Sequence, residues 1–216
     1  DIRSMCCRLR LDLRELLKKS GGFFGSGEST GSVGVVTINM PRIGYLAKDV
    51  KDFYERLDRM MDIAARSLKI KRTIIDRLLK EGLYPYTRRY LGSFENHFST
   101  IGLIDMNEAC LNAKWIKKDL TNPVAVKFTK EVLNHMRERL KDYQQQYGDL
   151  YNLEATPAES TTYRLAKHDV EKYPDIITAS EHGHTPYYTN SSHLPVGYTD
   201  DIFSALDIQD ELQTLY

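Results

Sequence analysis

The sequence predicts an α/β fold with mainly parallel strands. Strand-like and helix-like segments alternate along the chain. The first clear strand, "VGVVTINM", is β-branched and apolar on both faces, the pattern of a strand buried in a parallel sheet. The stretches between strands carry the three-to-four-residue spacing of amphipathic helices.

From the N-terminus, "LDLRELLKKSGG" reads as a short helix closed by Gly21 and Gly22, and the Gly/Ser-rich residues after it as a loop. Pro41 ends the "VGVVTINM" strand. A long helix is expected from about Asp49 to Lys80, with Val50, Phe53, Leu57, Met60, Met61, Ala64 and Leu68 on one stripe and Gly82 and Pro85 closing it. "FSTIGLID" is a second strand running into the helical "MNEACLNAKWI". The next helix opens with Asn122 as N-cap and Pro123 in its first turn. "LYNLEAT" is a third strand, and "PAESTTYRLAKHDVEK" is Pro followed by a helix. "TPYYTNSSHLP" reads as extended or loop. A last helix covers "YTDDIFSALDIQDELQ", with Thr199 as N-cap and two aspartates in the first turn. So few strands predict part of a barrel rather than a closed one.

The 216 residues are 41% hydrophobic and 28% charged with a formal net charge of zero, an ordinary globular composition. No charge excess points to nucleic acid or a membrane surface, and no run of about 18 apolar residues would span a bilayer. Three cysteines, two of them adjacent, make no disulfide framework and fit a reducing cytoplasm. A start at Asp1 without methionine and an end inside an amphipathic run predict a piece of a longer protein.

Two stretches carry chemistry. Cys6 and Cys7 stand side by side before Arg8. One reading is burial of small side chains; the other is thiol chemistry, with Arg8 and Arg10 favouring thiolate. No paired CxxC or nearby histidine completes a metal site, so no metal is expected. In "EATPAESTTYRLAK" a strand runs into Thr156 and Pro157, and a helix opens near Ala158, Glu159, Ser160, Thr161 and Thr162. Free N–H groups at a helix start bind phosphate. A capping box from Thr156 to Glu159 uses the same geometry, so both readings can hold. The loop "GGFFGSGESTG" lacks the Gly-Lys-Ser/Thr of a Walker motif. His182 and His184 are a weak metal signal.

These segments, in this order, resemble the anaerobic, class III ribonucleoside-triphosphate reductases, members of the glycyl radical enzyme family. "MCCRL" resembles the family's Met-x-Cys-Arg segment. "GSVGVVTINMPRIGYLAKD", "YLGSFENHFSTIGLIDMNEACLN", "YNLEATPAESTTYRLAK" and "YYTNSSHLPVGYTDDIFSALDIQDELQTLY" are similar to further family segments. The resemblance implies a ten-stranded α/β barrel with a cysteine finger loop. Residues 1–216 would be a partial catalytic barrel, with the N-terminal nucleotide-binding cone and the C-terminal glycyl radical segment absent. It implies reduction of ribonucleoside triphosphates to deoxyribonucleoside triphosphates by thiyl radical chemistry. Alternatives are a non-catalytic nucleotide-binding half-barrel, or another glycyl radical enzyme, which the phosphate motif argues against.

Cofactors and partners follow from the same resemblance. The glycyl radical would be installed by a separate activase that uses S-adenosylmethionine and an iron–sulfur cluster. A structural zinc would sit in the C-terminal region. ATP and deoxynucleotide effectors and a homodimer are implied, without membrane or direct nucleic-acid binding. Cys7 matches the radical cysteine, and residues 158–162 match the substrate-phosphate position. Asn39 is a weaker active-site candidate. Members that use formate commonly have Gly where Cys6 stands, Ser where Leu9 stands, and an amide where Ser32 stands. These departures imply a dithiol reductant of the thioredoxin type, with Cys6 as redox partner or bystander. Gly197 lacks the arginine of the radical-glycine context and is rejected for that role.

Overall fold

The computed structural model describes residues 3–5, 9–11, 30–157, 159–180 and 183–216; the short helix expected after Leu11, and His182, lie outside them. Strands β1 (Arg3–Met5) and β2 (Leu9–Leu11) pair antiparallel, with Met5 opposite Leu9. Strands β3 (Gly31–Asn39), β4 (His97–Ile104) and β5 (Leu150–Ala155) form a parallel sheet in that order. Between and after them come α1 (Met40–Leu46), α2 (Val50–Lys80), α3 (Pro85–Tyr90), α4 (Met106–Asn112), α5 (Pro123–Tyr147), α6 (Glu159–Lys172) and α7 (Ile202–Gln213). The predicted α/β order with parallel strands is present. Among the described residues the parallel sheet has three strands, and a closed barrel is not part of it.

Local chemistry explains most boundaries. Asp49 caps α2 by accepting the Asp52 N–H at 2.8 Å, and Asn122 caps α5 through Val124 N–H at 3.0 Å, with Pro123 behind it. The last helix is capped by Asp201, not Thr199. The Asp201 carboxylate reaches the N–H groups of Phe203 and Ser204, both at 3.2 Å, while Thr199 sits one step back and accepts from Asp201 N–H at 3.0 Å. The helix after β4 stops at Asn112 because Ala113 turns extended, so Trp115 and Ile116 lie outside it. The reading of Pro41 as a mere strand terminator missed α1, which begins at once with Asn39 as its cap.

Helices α2 and α5 cover one face of the sheet. Phe53, Leu57, Met61, Ala64 and Leu68 of α2 and Phe128, Val132, Met136 and Leu140 of α5 bury against Ile38, Ile101, Leu103 and Leu153. These are the apolar stripes that the helical spacing predicts. Helices α1 and α4 pack at the C-terminal ends of the strands. They come so close that a Cβ on Gly44 would overlap the Ala109 carbonyl oxygen.

The other end of the sheet is fixed by one buried cation. Arg72 of α2 is 4% exposed. It donates to the carbonyl oxygens of Phe94 (2.9 Å) and His97 (2.5 Å) at the start of β4, and its Nε lies 3.7 Å from Asp149, just before β5. Lys69 also pairs with Asp149 at 2.8 Å, but its side chain is 37% exposed. Removing a buried cation strands the carbonyl oxygens that it binds, at about 1–3 kcal/mol for each unmet acceptor, whereas an exposed pair contributes about 1 kcal/mol or less. Arg72→Ala is therefore expected to lower the stability of the chain by several-fold more than Lys69→Ala, read as the shift in denaturant midpoint. Equal shifts would show that the carbonyl contacts of Arg72 contribute little.

Candidate functional site

Strand side chains alternate, so the residues between those packed on α2 and α5 point to the opposite face. The register puts Val35, Thr100 and Asn152 in one row on that face, and Thr37, Gly102 and Glu154 in the next. Asn39 and Ile104 come after these, level with the C-terminal strand ends, where Thr156 follows β5. This face is polar where the other is apolar. A bulge between Ser32 and Gly34 turns Ser32 onto it as well.

The polar groups are linked. The Ser32 and Thr100 hydroxyls are 2.9 Å apart, and Thr100 donates to Asn152 Oδ1 at 2.9 Å. Asn152 Nδ2 is buried with no hydrogen-bond partner among the described residues. One row on, Glu154 is 3% exposed, and burial raises its carboxyl above the ordinary range, with the Thr156 hydroxyl 3.5 Å away pulling it back. Glu154 and Thr156 have room only because residue 102 is glycine. A Cβ there would overlap Thr156 Oγ1 and lie 3.2 Å from Glu154 Oε2.

Helix α6 opens just past this face. Ser160 is exposed, Thr161 half-buried and Thr162 buried. Ala158 and the side chain of Glu159 lie outside the described residues, as do Cys6 and Cys7. Strands β1 and β2 lie on either side of those cysteines in the sequence, and β2 lies against β5.

Of two further predicted residues, one lies apart from the strand ends and the other lies at them. Ser32 is at the N-terminal end of β3, roughly 20 Å of extended chain from Asn39 and the start of α6. Its hydroxyl is engaged by Thr100 and by the Gly34 carbonyl at 3.1 Å. Asn39 is occupied at both ends: Oδ1 accepts from Arg42 N–H at 3.2 Å and Nδ2 donates to Asp169 at 2.7 Å. The structure thus gives Asn39 a capping and bridging role.

Sequence reasoning missed Glu154, Asn152 and Thr100. The signal for Asn152 and Glu154 was present: "YNLEAT" places polar residues at alternate positions of a strand otherwise made to be buried.

Behind the strand ends lies a second buried polar group. Glu108 of α4 accepts from Thr189 N–H (2.8 Å), the Thr189 hydroxyl (3.0 Å) and Asn107 Nδ2 (2.6 Å). Burial nevertheless pushes its carboxyl up to about 7. Tyr188 donates to Asp169 at 2.8 Å, and burial together with that carboxylate holds its hydroxyl far above the ordinary tyrosine range. By contrast, Cys110 is buried beside Thr129, and burial pushes its thiol up to about 12, which leaves it protonated.

The sequence profile of the anaerobic ribonucleoside-triphosphate reductases matches residues 1–216. The chain belongs to that family. The anaerobic ribonucleoside-triphosphate reductase of Haemophilus influenzae is 28% identical over 193 residues, which are 82% of this chain and 27% of that protein. The enzyme of the same name from Enterobacteria phage T4 is 28% identical over 184 residues, 76% of this chain and 28% of that protein. The chain therefore spans a little over a quarter of the length of these relatives. The anaerobic ribonucleotide reductase from Thermotoga maritima with glycerol in its active site superposes with a TM-score of 0.73 at 22% identity, over 87% of this chain and 30% of that one. Its complex with dATP and CTP gives 0.73 at 22% identity, over 87% and 31%. The shared fold places this reductase-family chain's sheet and helices in the same arrangement as those structures.

Two outcomes test this geometry. Gly102→Ala is expected to displace Thr156 and Glu154 and to lower stability by about 1–3 kcal/mol through overpacking. The shift in denaturant midpoint measures it. The second outcome concerns Glu108. Its folded value lies above the unfolded one, so the native state holds more protons between about 4.5 and about 7. Its contribution is then present in full below the unfolded value and is lost as pH rises to about 7, by roughly 3 kcal/mol at most. Denaturation midpoints from pH 4.5 to 7.5 should show this slope, and Glu108→Gln should flatten it.

Proposed function

We propose that this chain is the thiol- and phosphate-bearing part of a catalytic barrel that reduces ribonucleoside triphosphates to deoxyribonucleoside triphosphates by thiyl radical chemistry. Membership in the reductase family is the observation that carries the reading. The buried polar sheet face, which ends at a helix start, supports it. In this reading the hairpin of β1 and β2 is the finger and Cys7 is at its tip.

The triphosphate lies at the start of α6, where the N–H groups of residues 159–162 and the dipole end favour negative charge without lysines. The ribose lies over the Gly102 row, with Glu154 beside its hydroxyls. The oxidising equivalent is supplied by a glycyl radical that a separate activase installs. The Cys7 sulfur takes the 3′-hydrogen, forming S–H as the C3′–H bond breaks and leaving the unpaired electron on C3′. Glu154, with its raised carboxyl, accepts the 3′-hydroxyl proton, while one thiol of a dithiol gives the 2′-hydroxyl the proton with which it leaves as water. The other thiol gives its hydrogen to C2′, the electron left over as the dithiol becomes a disulfide passes to the 3′-carbonyl while Glu154 returns its proton to that oxygen, and Cys7 returns its hydrogen to C3′. ATP and deoxynucleotide effectors, a homodimer and a cytoplasmic location belong to the same reading. So does a structural zinc outside this chain.

Cys7→Ser in the full-length enzyme is expected to abolish nucleotide reduction and to leave glycyl radical formation intact, followed by product assay and electron paramagnetic resonance. A variant that still reduces nucleotide moves the thiyl role to Cys6 or removes it.

The reductant is a dithiol rather than formate. Leu9 offers no hydrogen bond, and the Ser32 hydroxyl is already held by Thr100 and Gly34. A formate anion there would lack donors, at about 1–3 kcal/mol for each unmet partner. The activated enzyme should turn over with a thioredoxin-like protein or a small dithiol and stay silent with formate. Labelled carbon dioxide released from formate in step with product would sink this. Dithiol turnover that survives Cys6→Ala would move the second thiol away from Cys6.

A further inference from the structure

The strand ends and the start of α6 are tied together by one carboxylate that the reaction itself does not use. Asp169, on the third turn of α6, is fully buried. It accepts from three elements at once. Asn39 Nδ2, at the end of β3, donates at 2.7 Å; Arg42 Nε, in the first turn of α1, at 2.5 Å; and the Tyr188 hydroxyl at 2.8 Å. Asn39 in turn caps α1 at the Arg42 N–H. The segment that holds Tyr188 is itself clamped to the β4–α4 connection, through Thr189 on Glu108 and through the Met106 N–H, which donates to Ser191 O at 2.8 Å. The ends of β3 and β4 are therefore linked, one directly and one through the Tyr188 segment, to one side chain of α6.

The apolar anchorage of α6 at this junction is thin. Ala166 is buried against Ile104 and Tyr188, with Leu165 at the edge. Packing this small lets a helix slide or turn by a fraction of an ångström. A buried carboxylate with three donors does not allow that, because any shift strands a charge or a donor out of reach of water.

We propose that Asp169 is a positioning residue: with Asn39, Arg42 and Tyr188 it fixes the height and rotation of α6, and so the aim of the N–H groups in its first turn at the triphosphate. The inference rests on the reading of that turn as the phosphate site. It also explains why Asn39, at the mouth of the site, has its amide turned away from the ligand space and toward α6.

The experiment uses the full-length enzyme, with KM and kcat for ribonucleoside triphosphate measured beside the glycyl radical yield. Asp169→Asn should raise KM about tenfold and leave kcat within about twofold, since the reacting atoms are untouched while the phosphate grip is misaligned. Tyr188→Phe removes one donor only and keeps the fold, and should raise KM in the same direction by a smaller factor. Asp169→Glu, which keeps the charge but changes its reach, should not restore KM. Leu57→Ala, a cavity in the core of α2, should lower the thermal midpoint and leave KM unchanged. Ser160→Pro, which removes one N–H in the first turn, separates the two ideas, with Ser160→Ala as its control. If Ser160→Pro raises KM but Asp169→Asn and Tyr188→Phe do not, the positioning role is overturned. If Ser160→Pro behaves like Ser160→Ala and leaves KM unchanged, the phosphate reading has failed and this inference falls with it.

Discussion

All eight positions of strand β4 are buried. That constraint governs the sheet. A strand sealed on both faces can carry polar side chains only if each finds a partner, because an unmet buried polar group costs more than a made bond gives back. On the α2 side the solution is simple: Ile101 and Leu103 are apolar, and the Ser99 hydroxyl accepts from Arg72. On the other side, Thr100 stands between Ser32 and Asn152 and closes a cross-strand row. Where β4 has glycine instead, at 102, the space passes to its neighbours, and a carboxylate and a hydroxyl move in. The polar face is thus a consequence of what β4 omits as much as of what it carries.

The two ends of the sheet are held differently. At the start, a cation from a long, well-anchored helix binds carbonyl oxygens; Arg72 has the whole α2–α5 interface behind it. At the far end, an anion on a lightly packed helix collects donors from three connections. The first arrangement makes a rigid floor. The second leaves the helix that opens at the ligand end dependent on hydrogen bonds for its exact seat, and hydrogen bonds are directional where apolar contact is not. A site that must aim several N–H groups at one anion gains from such directionality.

Much of this was legible in the sequence, for reasons that are local. The α/β order, the three parallel strands, the α2 boundaries and the Asn122–Pro123 start of α5 rest on periodicity and capping chemistry within a few residues. Helix α1 was not legible, because Pro after a strand signals an end and says nothing of a helix one residue on. The cap of α7 went to Asp201 over Thr199 because a carboxylate reaches two N–H groups at once. The resemblance named the family, but it did not name Glu154, whose role depends on a glycine fifty-two positions earlier on a neighbouring strand. Pairings across strands depend on register, and register is not written in any one segment.

Asn39 shows the same limit most sharply. Its position at a strand end beside a proposed ligand space fits an active-site amide and a helix cap equally well. What decides between them is Asp169, 130 residues later in the chain. Once that partner is in place, both ends of the amide are engaged, Nδ2 on Asp169 and Oδ1 on the Arg42 N–H. A buried donor on that face without a partner among the described residues is Asn152 Nδ2, whose carbonyl is held by Thr100. Two asparagines at the mouth and floor of one sheet thus take opposite parts: the amide at the mouth builds the frame, and the amide at the floor keeps its donor open.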